Sequence, residues 1–250
     1  MGKNKLTKFA EMAGFENVIQ PPHEIHNNKA HPLKGKWNET LFGNNRPIVL
    51  ELGCGKGEYT VALAEKSSEK NHIGIDIKGA RIFTGAKYAL RNNIKNAVFL
   101  RTHIENIDCF FDENEVSEIW VTFPDPQMKK VRKRLTSSWF MEKYSRLLKP
   151  DGIIHLKTDS GFLYEYTSEL VKINNLEIIA KTEDLYNSDL RNDILNVKTF
   201  YEKQWSDRGI AIKYIAFILS KKGNWLEPEG KFEKDAYRSF GRSARELRHE

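Results

Sequence analysis

The sequence predicts an α/β protein built on a doubly wound, mostly parallel sheet. Three observations carry this. Short, largely apolar runs such as Ile48-Val49-Leu50-Glu51-Leu52 read as strands buried on both faces. Helical patterns alternate with those runs along most of the chain. Glycines or prolines close the strands and open the next segment. At 250 residues, such a sheet can bury a full core.

Residues 1–46 are polar and hold Pro21-Pro22; they read as a short helix around Thr7–Ala13 followed by an irregular arm. From residue 47 to about 220 the pattern is that of one domain. After the strand at Ile48–Leu52 comes a helix about Glu58–Glu65, then a strand at His72–Ile77. A helix over Ala80–Arg91 leads to a third strand, Ala97–Leu100. Glu118–Phe123 is a fourth strand, ending in prolines. The helix Ser137–Leu148 stops at Pro150-Asp151-Gly152, where proline and glycine cannot continue it. Ile153–Thr158, the helix Phe162–Ile173, Leu176–Ile179 and a long last strand at Ile212–Leu219 follow. Residues 221–250 read as a polar tail; Arg238, Arg242, Arg245 and Arg248 lie there at helical spacing, diluted by Glu246 and Glu250.

Lys and Arg number 40 against 34 Asp and Glu, a formal charge of +6. Most of that excess is local. Lys129-Lys130-Val131-Arg132-Lys133-Arg134 holds five bases and no acid; without it the balance is 35 to 34. A general basic coat is excluded, and a local anion-binding feature is indicated.

Other classes drop out. No apolar run approaches the ~20 residues of a membrane span. The charged N-terminus lacks the apolar stretch of a signal peptide. Gly2 is not a myristoylation site, because Leu6 stands where Ser or Thr is required. Cys54 and Cys109 make neither a disulfide framework nor a zinc site. His23, His26 and His31 read as solvated loop histidines with no cysteine nearby, so no metal is expected. The expected compartment is the cytoplasm.

The first strand runs into Gly53-Cys54-Gly55-Lys56-Gly57 and then a helix. Glycine suits a turn that takes positive φ and lets a ligand approach the backbone. Glu58 stands where a dinucleotide fingerprint has its third glycine, and an acid in that first turn repels a pyrophosphate. Glu51 before the glycines points to a cationic ligand. S-adenosylmethionine carries a sulfonium and an ammonium, and Asp76 at the end of the second strand suits its ribose hydroxyls. His103 and Glu105 follow the third strand, on the adenine side of such a site.

The fourth strand ends in Phe123-Pro124-Asp125-Pro126-Gln127-Met128 and runs straight into the basic cluster. In open α/β sheets ligands bind beyond the carboxyl ends of the strands. Asp125, held between two prolines, is there a stiff carboxylate beside the methyl donor. Lys130, Arg132, Lys133 and Arg134 match what a nucleic-acid backbone needs. Lys157-Thr158-Asp159 and Thr199-Phe200-Tyr201-Glu202 lie at the same sheet edge; Asp159 also suits a helix N-cap.

Together these segments resemble the tRNA (guanine-N7-)-methyltransferase family, in order and spacing, over about residues 47–219. The glycine loop is common to class I methyltransferases. The Pro-Asp-Pro followed by bases, with the Thr-x-Tyr-Glu element, is specific to this family. The resemblance implies a Rossmann-like, seven-stranded sheet with an antiparallel last strand. It implies S-adenosylmethionine lined by Glu51, Asp76, His103 and Asp125, and tRNA contacted by Lys129, Asp159 and Thr199 to Glu202. No membrane and no obligate protein partner are expected from the sequence itself, and the chain is read as a monomer or homodimer. Gln127-Met128 replaces the aromatic-containing pair common after Pro-Asp-Pro, and His103 stands where many members have Asp or Asn. Two other readings remain: an exocyclic-amine methyltransferase on nucleic acid or protein, and a catalytically silent tRNA-binding module. Gln127 after Asp125-Pro126 argues against the first, since such enzymes carry a proline and an aromatic there.

Overall fold

The computed structural model describes residues 3–21, 30–220 and 223–238. Its strands are β1 (Val18–Ile19), β2 (Ile48–Leu52), β3 (Asn71–Ile75), β4 (Ala97–Leu100), β5 (Val116–Thr122), β6 (Leu148–Thr158), β7 (Ile178–Thr182) and β8 (Lys213–Ile218). They form one sheet in the order β1-β4-β3-β2-β5-β6-β8-β7. All pairings are parallel except those of β8, which runs antiparallel to β6 and β7. The helices are α1 (Lys3–Met12), α2 (Glu58–Lys66), α3 (Gly79–Arg91), α4 (Ser138–Leu147), α5 (Gly161–Ile173) and α6 (Phe200–Ser206).

Every residue of β2, β3 and β4 is buried, the polar Glu51, Asn71 and His72 included, as in a parallel sheet covered on both faces. Leu50, Leu52, Ile73 and Val121 pack with Phe140 of α4 and Tyr166 of α5. Val49 and Trp120 pack with Tyr59, Leu63 and Tyr214 in a second cluster. From β2 the chain winds out to β3 and β4, and from β5 it winds the other way. The direction therefore switches between β2 and β5, and the crevice opens beyond their carboxyl ends.

The sheet has eight strands where seven were expected. The added one is Val18–Ile19, which extends the β4 edge. The segment read as an irregular arm thus contributes to the fold. Its helix α1 packs on α3. Trp37 is fully buried, donates from Nε1 to the Phe110 carbonyl (2.8 Å) and stacks on Phe111. The His31 ring lies tilted against that of Phe110; His23 and His26 lie outside the described residues. Among the described residues, no cluster of His, Cys, Asp and Glu is arranged to hold a metal. No described helix is long and apolar enough to cross a membrane.

The tail departs from expectation in the same way. Phe232 packs edge-on against Phe162 and Tyr166 of α5. Asn174 and Leu226 exchange two hydrogen bonds of 2.9 Å. Asp235 accepts from the Ser160 hydroxyl and from Phe162 N (3.2 Å) at the start of α5. Residues 225–237 are therefore a strap docked on α5. Arg242, Arg245 and Arg248 lie outside the described residues.

Candidate active site

The loop after β2 is stapled to the tip of β3. Gly53 N and Cys54 N donate to the Ile75 carbonyl (2.8 and 3.0 Å), and Gly55 N donates to Asp76 Oδ2 (3.0 Å). Gly53 has φ 76°, and a Cβ there would meet nothing within 4 Å, so its backbone faces open space. Gly57 is tight instead: with φ 72°, its Cβ would come 2.5 Å from the Phe99 ring. The first glycine leaves room for a ligand, and the last lets α2 approach the sheet.

β5 ends in a sharp turn. Phe123 has φ 48° and Gln127 has φ 48°, in the left-handed region that bulky residues avoid. Phe123 N is held by the Lys157 carbonyl (2.8 Å), and Asp125 Oδ1 accepts from Gln127 N (3.0 Å). Asp125 itself is exposed.

Between these two turns lies a cavity of about 360 Å³. Gly53 and Asp76 form one wall, Phe123 and Asp125 another, and Glu105 and Lys133 also line it. That volume lies within the ~300–1,000 Å³ of small-molecule sites. Its carboxylates Asp76, Glu105 and Asp125 are matched by the bases Lys78, Arg81 and Lys133, which suits a ligand bearing both positive and negative groups, and open space over the Gly53 backbone leaves room for it. S-adenosylmethionine fits this donor set.

A family model described as a putative methyltransferase matches residues 45–215. A tRNA (guanine-N(7)-)-methyltransferase of Bacteroides thetaiotaomicron is 56% identical over 98% of this chain and 97% of that protein. One of Porphyromonas gingivalis is 51% identical over 94% of this chain and 98% of that protein. The chain belongs to the tRNA (guanine-N(7)-)-methyltransferase family. Among solved structures, the 16S rRNA methyltransferase KamB superposes with a TM-score of 0.56 at 12% identity, covering 73% of this chain and 92% of that one. A 30S ribosomal A1408 methyltransferase from an uncultured bacterium gives 0.53 at 17%, covering 71% and 89%. Those two likenesses show a shared Rossmann-like methyltransferase fold.

Within this family member, Gly53, Asp76 and Asp125 line the cavity. Asp76 also accepts from Lys78 N at 2.7 Å, which aims its carboxylate. Glu51 departs from expectation. It is buried behind the glycine loop, and the hydroxyls of Thr60 and Thr122 (2.5 Å) donate to it. Burial pushes its carboxyl up to about 7, although those hydroxyls pull it down. His103 is exposed and outside the lining, whereas its neighbours Ile104 and Glu105 are in it. His103 is the N-cap of a short 3-10 helix, so the chain turns inward only after it.

The basic cluster divides. Lys129, Lys130 and Arg132 are exposed. Lys133 is ion-paired with Glu105 at 2.5 Å. Arg134 is only 6% exposed; it donates to the carbonyls of Gln127 and Met128 (3.2 Å each) and lies over Phe162 and Tyr166. It therefore holds the Pro-Asp-Pro turn against α5 and is not presented to a phosphate. An arginine beside four other bases gives no sequence sign of this.

Thr199 and Glu202 form a capping box that starts α6. Glu202 is fully buried, bonded to Lys157 and to the Tyr186 hydroxyl, and so is not presented to a base. Asp159 is buried too and accepts from the Tyr237 hydroxyl (2.8 Å) in the strap. Phe200 and Tyr201 are 45% and 37% exposed. Lys56 lies 3.8 Å from the Phe200 ring centre, and Arg81 lies 5.6 Å from that of Tyr201. Glu58 accepts from Phe200 N (3.0 Å), so the acid that argued against a pyrophosphate ties α2 to α6. Sequence reasoning gave no role to the side chains of Lys56 and Arg81, and named Lys157 only as part of the segment at the sheet edge. Arg81 had one signal, its place just after Asp76 at the crevice edge.

Proposed function

We propose that this chain transfers a methyl group from S-adenosylmethionine to N7 of a guanine in the variable loop of tRNA, in the cytoplasm, forming 7-methylguanosine. The observation that carries this reading is the exposed Asp125 carboxylate at the cavity wall, with the basic loop beginning four residues later. Asp76 would hold the ribose hydroxyls, and the Gly53 backbone would face the methionine end. The bound cofactor supplies a methyl group made electrophilic by its sulfonium.

The N7 lone pair of guanine lies in the ring plane and is already nucleophilic. It attacks the methyl carbon in line with the carbon–sulfur bond, whose electron pair goes to sulfur. No proton leaves, and the product ring is cationic. Asp125 is accordingly an electrostatic group: it orients the base and stabilises the positive charge that grows on it. Phe200 and Tyr201 offer faces for stacking against unpaired bases, which is how single-stranded RNA is commonly held. Lys129, Lys130 and Arg132 meet the backbone phosphates.

Purified protein incubated with labelled S-adenosylmethionine and bulk tRNA, followed by digestion to nucleosides, tests this. Labelled 7-methylguanosine is expected. A methylated adenosine, or no label in RNA, overturns it.

A further inference from the structure

Lys157 stands at the carboxyl end of β6 and is 0% exposed. Its Nζ donates to the carbonyls of Leu195 (2.9 Å) and Val197 (2.8 Å) and to Glu202 (2.9 Å to Oε1). The same Nζ lies 3.1 Å from Glu202 Oε2 and 3.3 Å from the Tyr186 hydroxyl oxygen, so five acceptor atoms share its three protons. Glu202 is 0% exposed as well, and its other partners are the Thr199 amide (3.3 Å) and the Tyr186 hydroxyl. The rings of Tyr59, Phe123 and Tyr186 surround the ammonium at 5.3 to 5.9 Å. Burial pulls the Lys157 ammonium below its ordinary range, with Glu202 opposing.

The backbone of the same residue reaches the other half of the site. The Lys157 carbonyl accepts from Phe123 N (2.8 Å), the residue that opens the Pro-Asp-Pro turn. Lys157 therefore binds the Asp125 turn through its main chain and the 195–202 segment through its side chain. With Glu202 drawn inward, Phe200 and Tyr201 are left facing out beside Lys56 and Arg81. A buried ion pair is a weak source of stability, since an apolar pair of similar size often serves as well. Stability alone does not account for a charge at this place.

We propose that Lys157 is a positioning residue that sets the Thr199–Tyr201 segment at a fixed distance from the Asp125 turn, so that tRNA meets both at once. This rests on the proposed function. The ion pair specifies the place of a substrate loop relative to the carboxylate beside the methyl donor.

The test compares wild type, E202Q and the charge-neutral double variant K157M/E202Q. Melting temperature, S-adenosylmethionine affinity, tRNA kinetics and amide hydrogen exchange at 195–202 are measured. For the double variant, near-native melting and cofactor affinity are expected, with faster exchange confined to 195–202. Its kcat/KM for tRNA is expected to fall about 10²-fold, mostly through KM, as displacement of a positioning element does. E202Q alone should keep the loop protected, because an amide still accepts from Lys157. A folded double variant with wild-type exchange and wild-type tRNA kinetics overturns the proposal. If the double variant does not fold, Y186F decides by the same readouts: faster exchange with a raised KM supports positioning, and neither change overturns it. Wild-type protein that makes no 7-methylguanosine refutes the proposed reaction alone, since the exchange measurement needs no substrate and still judges the loop.

Discussion

Lys133 Nζ lies 2.5 Å from Glu105 Oε1, joining the basic loop to the wall of the cofactor cavity. Burial raises the Glu105 carboxyl, but the Lys133 hydrogen bond and charge outweigh it and hold the group below its usual range. Both side chains are partly exposed, so the pair contributes no more than ~1 kcal/mol. K133A is expected to weaken S-adenosylmethionine binding about two- to fivefold, read by calorimetry. A K133A affinity equal to wild type refutes this link.

The other bases of that loop have a different task. Replacing Lys129, Lys130 and Arg132 by alanine should lower the slope of log tRNA affinity against log salt by about 2 to 3. Cofactor affinity should stay unchanged. An unaltered slope excludes them as phosphate contacts.

R134A should behave as a structural variant, because Arg134 satisfies two carbonyls and covers two rings. A loss of about 2–3 kcal/mol in stability is expected by denaturant titration. A stable R134A with weakened tRNA binding would restore the phosphate role.

Glu51 sets a pH dependence. Its folded value of about 7 lies above that of an unfolded glutamate, so the folded state holds the proton more tightly. The stability linked to it is present at acid pH and is lost as pH rises from the unfolded value through about 7. E51Q removes the ionisation, though one threonine hydroxyl must turn to accept from the new amide. The stability of E51Q relative to wild type should therefore rise between pH 5 and pH 8, by the order of 2–3 kcal/mol. A difference that stays flat across that range counts against the buried-acid reading.

Asp125 acts in the proposed reaction without taking a proton. D125A should lower kcat about 10²-fold while the single-turnover rate of wild type stays level between about pH 6.5 and 8.5. A wild-type rate climbing tenfold per pH unit, and levelled by D125A, would make Asp125 a base.

Much of the fold was legible because it rests on local pattern. Ala97–Leu100 is a strand as expected, and α3 begins one residue before the expected Ala80. β6 begins earlier than expected, at Leu148, because Leu148 pairs with Val116 before the chain bends at Asp151 (φ 61°). β7 begins at Ile178, two residues later than expected. Val18, Leu33 and Trp37 follow no period, so the polar arm concealed their burial. The strap was hidden for the same reason: Phe232 and Asp235 find their partners on α5, some seventy residues away.

The sequence by itself determined seven of the eight strands, the glycine turn and the acid between two prolines, because each is specified by neighbours along the chain. Only the tertiary structure decided what the charged residues do. Of five adjacent bases, Arg134 turned inward to carbonyls and rings, Lys133 paired with Glu105, and three stayed in solvent. Glu202 left the candidate base contacts when Lys157, 45 residues earlier, buried its charge against it. A side chain's charge is written in the sequence. Its partner depends on which strands and loops converge, and that is settled by packing.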